Sequence, residues 1–204
     1  MEDKMSEYQF TKDWFNWAPE VWNQLIPMLS GEPGARNFLE IGSFEGRSTV
    51  WIMENMMQEN DYIYCIDTWE GGEEHGGEDM PAVFERFKAN TAIAKDKAGV
   101  VRGYERNTSF GGLAGVYHGI GCESQDFIYI DGSHTAPDVL TDACMAWPLL
   151  KPKGLMVFDD YLWSPSPRDI LHRPKIAIDS FVNIFAEEVE IVHVGYQLVV
   201  RKKG

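Results

Sequence analysis

Basic residues are scarce in this chain: its 204 residues carry 18 lysines and arginines against 32 aspartates and glutamates, a formal net charge of −14. A nucleic-acid binder presents a basic face to the phosphates, so nucleic acid is not an expected partner. Cysteine is also sparse. Cys65, Cys122 and Cys144 are odd in number and scattered, which speaks against a disulfide framework and fits a reducing compartment. No run of about 18 apolar residues occurs, and no apolar leader opens the chain, so neither a membrane span nor a secretory signal is expected. The expectation is a cytoplasmic protein without a membrane partner. Two nucleotide-binding signatures are missing as well. There is no G-x-G-x-x-G for a dinucleotide, and no glycine loop ending in Lys-Ser or Lys-Thr for a triphosphate.

What is present is an ordinary globular composition, 44% hydrophobic and 25% charged, long enough to bury the core of one domain over residues 1–204. The organising stretch is Asn37-Phe38-Leu39-Glu40-Ile41-Gly42-Ser43-Phe44-Glu45-Gly46-Arg47-Ser48-Thr49. An apolar run, two glycines four positions apart and a helical run after Ser48 spell a buried strand, a tight turn and a helix start. Glycine lets the backbone turn sharply and approach a ligand. The N–H groups of the following helix end suit a carboxylate or phosphate.

Along the chain, Trp14, Trp17, Val21, Leu25 and Met28 recur at helical spacing, predicting an amphipathic helix over Lys12 to Leu29, or two short ones broken at Pro19. Residues 1–11 are polar, and Ser30 to Gly34 read as a turn. Strands are predicted at Phe38–Ile41, Tyr62–Ile66, Gly99–Arg102, Asp126–Ile130, Leu155–Phe158, Val189–Val194 and Gln197–Val200. Helices are predicted over Pro81–Ala98, Asp138–Leu150 and Ile176–Ala186, whereas Asn107–His118 reads as irregular because of Gly111-Gly112. The acidic, glycine-rich loop Glu70–Asp79 is too long for a simple connection and reads as a solvated loop or lid, with His75 within it.

Strands alternating with helices predict an α/β fold: a mostly parallel seven-stranded sheet with a C-terminal antiparallel hairpin and helices on both faces. Ligands of such sheets sit beyond the carboxyl ends of the strands. Those ends are polar here: Gly42-Ser43, Asp67, Asp131 and Asp159-Asp160. Asp67 is suited to accept hydrogen bonds from a ribose diol. Three carboxylates at adjacent strand ends would repel one another without a cation. Oxygen-only donors suit a hard ion, Mg²⁺ first, with Mn²⁺ or Ca²⁺ as alternatives.

Glu40-Ile41-Gly42-Ser43-Phe44-Glu45-Gly46-Arg47-Ser48, followed by Cys65-Ile66-Asp67, resembles the first two motifs of class I S-adenosylmethionine-dependent methyltransferases. Asp126 to His134, then Phe158-Asp159-Asp160-Tyr161, is similar to the metal-dependent O-methyltransferases, in particular the macrocin-type sugar O-methyltransferase branch of methyltransferase family 24, and more distantly to catechol O-methyltransferase. The resemblance covers roughly residues 36–162 and implies a Rossmann-like methyltransferase sandwich. It implies that Glu40 and Gly42 shape the cradle for the methionyl part of S-adenosylmethionine, that the backbone at Ser43 and Gly46 approaches it, that Ser48 meets its carboxylate and that Asp67 holds its ribose. The adenine contact is expected within Gly103–Ser109. Asp131, Asp159 and Asp160 are implied metal ligands. His134 is the implied base that takes the proton of a metal-held hydroxyl.

The residues outside the resemblance, a helical extension over 1–35 and a loop over 161–175, are expected to choose the substrate. In that loop Trp163 is placed to stack on a sugar or arene, and Arg168 or Arg173 to meet an anion. The expected activity is O-methylation of a small sugar-like or phenolic hydroxyl. A metal-independent N- or C-methyltransferase and a non-catalytic cofactor-binding protein are the alternatives. Related enzymes often self-associate, so a homo-oligomer is implied.

Overall fold

The computed structural model describes residues 7–29, 35–72, 75–98, 101–166 and 169–204. The first residues of the polar N-terminus, the turn at 30–34, Glu73, Glu74, Gly99, Val100, Pro167 and Arg168 lie outside the described residues. In chain order the elements are α1 (Ala18–Leu25), β1 (Asn37–Ile41), α2 (Arg47–Asn55), β2 (Tyr62–Asp67), α3 (Met80–Ala98), β3 (Val101–Arg106), α4 (Ser109–Gly119), β4 (Gln125–Ile130), α5 (Ala136–Ala146), β5 (Leu150–Phe158), α6 (Pro174–Ile184), β6 (Val189–Val194) and β7 (Leu198–Lys202). The strands join into one sheet of order β3-β2-β1-β4-β5-β7-β6. The first five are parallel, while β7 runs antiparallel between β5 and β6.

Alternation along the strands builds two cores. Phe38, Phe127 and Tyr129 face α1, α2 and α3, packing with Trp22, Ile52 and Phe87. Leu39, Ile41, Ile128, Ile130 and Phe158 face α4, α5 and α6, packing with Leu113, Ala143 and Phe181. Every residue of β4 is buried, as expected of a central parallel strand covered on both faces.

The chain runs outward from β1 to β3, then returns to β4 on the other side of β1. The switch in strand order therefore falls between β1 and β4, where the carboxyl ends leave a crevice. Register sets what lines it. Ile41 pairs with Ile66 and with Ile130, and Ile130 pairs with Phe158. One residue further on, Asp67, Gly42, Asp131 and Asp159 stand in a single row across four strands. Backbone bonds continue into that row: Gly42 N–H to Ile66 O (2.9 Å), Asp131 N–H to Ile41 O (2.8 Å) and Asp159 N–H to Ile130 O (3.0 Å).

Several boundaries differ from the sequence reading. The first helix begins at Ala18, not Lys12, because Pro19 belongs in a first turn. Residues 12–17 instead form an irregular segment, with Phe15 buried against Trp22 and Trp14 53% exposed. The third strand extends to Arg106. The segment read as irregular is the helix α4, capped by the Thr108 hydroxyl, which accepts from Gly111 N–H at 3.2 Å. Its glycines give close approach: a Cβ on Gly112 would stand 2.6 Å from the Ile66 side chain. β5 starts at Leu150 and carries Lys151 to Gly154 as strand, and α5 ends at Ala146 before a short 3₁₀ turn that holds Pro148. α6 starts two residues early, with Pro174 at its head.

Candidate active site

The glycine turn occupies the β1 side of the crevice. Gly42 has φ +80°, and a Cβ there would lie 1.8 Å from the Asp131 carbonyl oxygen. The close approach that this glycine permits is to the backbone at the end of β4. Gly46, at φ +79°, opens α2. Glu40 is fully buried in β1 and accepts hydroxyl bonds from Ser43 (2.7 Å), Ser48 (2.6 Å) and Thr49. Burial pushes its pKa up, and the three hydroxyls offset part of that rise. The Ser48 hydroxyl therefore faces Glu40. The Asp67 carboxylate closes the turn: Oδ2 accepts from Ser43 N–H (2.8 Å) and Phe44 N–H (2.9 Å), and Oδ1 from Trp69 N–H (2.7 Å). Glu40, Gly42, Ser43, Gly46, Ser48 and Asp67 thus form one connected unit. After β3, Asn107 N–H bonds Asp67 O at 3.0 Å, bringing the segment read as the adenine contact beside the same turn.

The β4 and β5 side of the crevice is acidic. Ligand atoms of Asp131, His134 and Asp160 lie within 4.8 Å of one another. His134 Nε2 is 2.7 Å from Asp160 Oδ2. Asp159 sits one step deeper, accepting Asp160 N–H at 2.8 Å. Tyr129 binds it to Asp131: the phenol contacts Asp159 Oδ2 and lies 3.0 Å from Asp131 Oδ2. Asp160 takes φ +54°, an uncommon backbone state for a non-glycine residue, and one that clusters at functional sites.

Electrostatics follow from the crowding. Burial raises the pKa of Asp131 well above the usual carboxylate range, and the charges of Asp159 and Asp160 raise it further. Asp159 is pushed up to about 6, by burial first and then by Asp160. Tyr129 is raised by burial and by the two carboxylates it bridges. One phenol hydrogen serves two carboxylates, so the cluster is short of positive charge. An all-oxygen, anionic, largely buried donor set with an adjacent imidazole fits a hard divalent cation. A histidine beside it can exchange a proton with a bound hydroxyl.

Sequence reasoning missed three groups. Tyr129 was read only as a strand residue, although its place two positions before Asp131 puts both on one face. Tyr196, on the β6–β7 turn, donates to Asp160 Oδ1 at 2.8 Å and packs edge-on against Trp17 with centroids 5.0 Å apart; no local pattern announces that contact. Gln197, buried, accepts Trp22 Nε1–H at 2.7 Å, so the first helix buttresses the hairpin. Trp163 does lie at the site, its ring 4.5 Å from that of His134. Arg173 is turned toward its own loop, 3.4 Å from Ser166 O. His75 is stacked on Phe44 with ring centroids 5.0 Å apart.

Residues 39–161 match the family described as a methyltransferase domain, a span that opens in β1 and closes one residue past Asp160. No curated protein matches the chain. Among solved structures, a protein from Corynebacterium glutamicum is similar with a TM-score of 0.64 at 17% identity, over 91% of this chain and 81% of that one. CalS11, a TDP-rhamnose 3'-O-methyltransferase of calicheamicin biosynthesis, gives 0.58 at 13% identity, over 90% and 78%. The MycE methyltransferase of mycinamycin biosynthesis, solved with Mg, S-adenosylhomocysteine (SAH) and mycinamycin VI, gives 0.58 at 16% identity, over 96% of this chain and 51% of that one. At these identities the likeness to the solved structures is one of fold. No helix among the described residues is long and apolar enough to cross a membrane.

Proposed function

Since this chain belongs to the methyltransferase domain family that its residues 39–161 match, we propose that it transfers the methyl group of S-adenosylmethionine to a hydroxyl oxygen of a small molecule, with a divalent cation, Mg²⁺ first, as cofactor. The observation that carries this reading is the row at the strand ends. A glycine turn closed by the Asp67 carboxylate stands on one side of the switch point, and three crowded carboxylates with a histidine stand on the other. The presence of Mg and SAH in the MycE structure supports it by analogy of fold.

Asp131, Asp159 and Asp160 are the residues that would hold the cation, and the raised pKa values of Asp131 and Asp159 mark a site short of positive charge. When bound, the cation offsets that charge and acidifies a coordinated hydroxyl. His134 takes the hydroxyl proton, and Asp160, 2.7 Å from Nε2, stabilises the imidazolium that forms. A carbon–oxygen bond to the methyl forms as the sulfonium carbon–sulfur bond breaks, and S-adenosylhomocysteine leaves. The turn around Gly42 and Asp67 orients the donor while the acidic cluster orients the acceptor, so much of the acceleration is positioning. Trp163 beside His134, and Trp17 and Tyr196 beside Asp160, offer aromatic walls to a sugar-like or phenolic acceptor.

The test is methyl transfer from labelled S-adenosylmethionine over a panel of hydroxyl acceptors, with SAH binding measured by calorimetry. SAH binding is expected to survive a chelator, and transfer to be lost with it. Transfer that ignores the chelator would point to a metal-independent N- or C-methyltransferase. His134→Ala should bind SAH as the wild type does and lose about 100-fold or more in turnover. Near-wild-type turnover would remove the histidine from its role.

A further inference from the structure

The glycine turn is held from outside by a segment that the family match does not include. Residues 42–46 hold three positive-φ positions, Gly42, Phe44 and Gly46, at +80°, +47° and +79°. A short span between two glycine hinges is intrinsically mobile, and a non-glycine residue in the left-handed region persists only when its surroundings over-determine it. Asp67 pins Ser43 and Phe44 from the sheet side. The opposite side is pinned by the N-terminal segment.

Glu45, only 2% exposed, accepts Thr11 N–H (2.6 Å), the Thr11 hydroxyl (2.8 Å) and Arg86 Nε–H (2.5 Å). Asn90, buried on α3, donates to Glu45 O (2.9 Å) and to Gln9 O (3.1 Å) and accepts Gln9 N–H (2.8 Å). Next along, Arg47 reaches Lys12 O at 2.7 Å and Asp13 at 3.0 Å. Trp14 packs on Phe44 with centroids 5.1 Å apart. Residues 11–14 thus contact positions 44, 45 and 47, Gln9 ties the segment to Asn90, and a buried anion at Glu45 is the knot. Burying a charge is unfavourable unless it is paired and hydrogen-bonded, and Thr11 and Arg86 supply that compensation to Glu45.

We propose that Glu45 is a positioning residue for S-adenosylmethionine: together with Thr11, Arg86 and Asn90 it straps the N-terminal segment across the glycine turn and fixes the turn in its cofactor-binding shape. This rests on the reading above. Residues 9–14 then belong to the donor site without touching the donor, and loosening the strap weakens donor binding while leaving the methyl-transfer step intact.

The experiment uses the full chain and the variants Glu45→Ala, Glu45→Gln and Thr11→Val, with Tyr8→Phe as a control. The Tyr8 phenol bonds Glu54 on α2. SAH binding is read by calorimetry, and KM for S-adenosylmethionine and kcat by methyl transfer. Glu45→Ala should raise both the dissociation constant and that KM by about tenfold, within the usual range of coupling between sites. Its kcat at saturating donor should stay within about twofold, and so should KM for the acceptor. Glu45→Gln, which keeps an acceptor oxygen for Thr11, and Thr11→Val should fall between, and Tyr8→Phe should bind as the wild type.

A folded Glu45→Ala that binds SAH at wild-type strength overturns the proposal. So does a loss that appears equally in kcat and in the folded fraction, because that is a merely structural role. If Glu45→Ala does not fold, Thr11→Val decides alone, since it leaves the Glu45–Arg86 pair in place. A wild-type chain that binds no SAH overturns the donor reading itself, a result distinct from unchanged binding across the variants.

Discussion

Asp142 carries a cost that one substitution should remove. It lies on α5, 2% exposed, with Oδ1 lacking a hydrogen-bond partner among the described residues. Burial raises its pKa from 3.8 to about 6, the charge of Asp138 adds to the rise, and the Ser109 hydroxyl holds part of it back. A carboxyl whose pKa is higher folded than unfolded binds more protons in the folded state, so its contribution to stability falls as pH rises through the window from 3.8 to about 6. Above that window the difference of about 2 units amounts to about 3 kcal/mol of destabilisation, an order-of-magnitude figure.

Asp142→Asn keeps the shape and cannot ionise. Near pH 7.5 it should be more stable than the wild type by about 3 kcal/mol, or roughly 9 °C in Tm for a chain of this size. Near pH 4 the same linkage leaves a gain of only about 0.6 kcal/mol. Urea unfolding followed by tryptophan fluorescence at both pH values measures the two differences. A gain that does not shrink at low pH would show that the benefit comes from packing, and destabilisation near pH 7.5 would show that the carboxylate is satisfied and useful.

Other substitutions test the scaffold of the site. Gly42→Ala should yield no folded protein on circular dichroism, because its Cβ would stand 1.8 Å from the Asp131 carbonyl oxygen at a φ of +80°. Trp22→Phe should cost about 1–3 kcal/mol by urea unfolding, since it leaves the buried Gln197 carbonyl without the indole donor at 2.7 Å.

The strand ends were legible because each buried run stops abruptly at a polar residue: Ile66 at Asp67, Ile130 at Asp131, Phe158 at Asp159. Parallel register then places those residues in one row, so the local pattern carried long-range information. The misses share a cause, which is contact between segments far apart in the chain. Tyr196 reaches back 36 residues to Asp160, and Thr11 reaches forward 34 to Glu45. Neither leaves a periodic trace. α4 was read as irregular because its two adjacent glycines lower helix propensity, whereas tertiary packing against Ile66 requires one of them. The first helix was read too long because Trp14 and Trp17 match its period while Pro19 decides its start.

The crevice and its flanks hold two kinds of carboxylate. Glu40 receives three hydroxyl bonds, Asp67 three backbone N–H bonds, and Glu45 two bonds from Thr11 and one from an arginine. Those anions are satisfied by the chain and set the shape of the turn. Asp131 and Asp159 share the single hydrogen of Tyr129, Asp159 also accepts Asp160 N–H, and both are raised by burial and by the charge of a neighbouring aspartate. Glu40 is raised as well, by burial first, and its hydroxyl donors hold part of that rise back. Crowding by like charge therefore separates Asp131 and Asp159 from the carboxylates that shape the turn, a distinction that sequence motifs treat as one acidic constellation. In the function proposed, the first set orients the methyl donor, and the second, with His134, meets the hydroxyl that receives it.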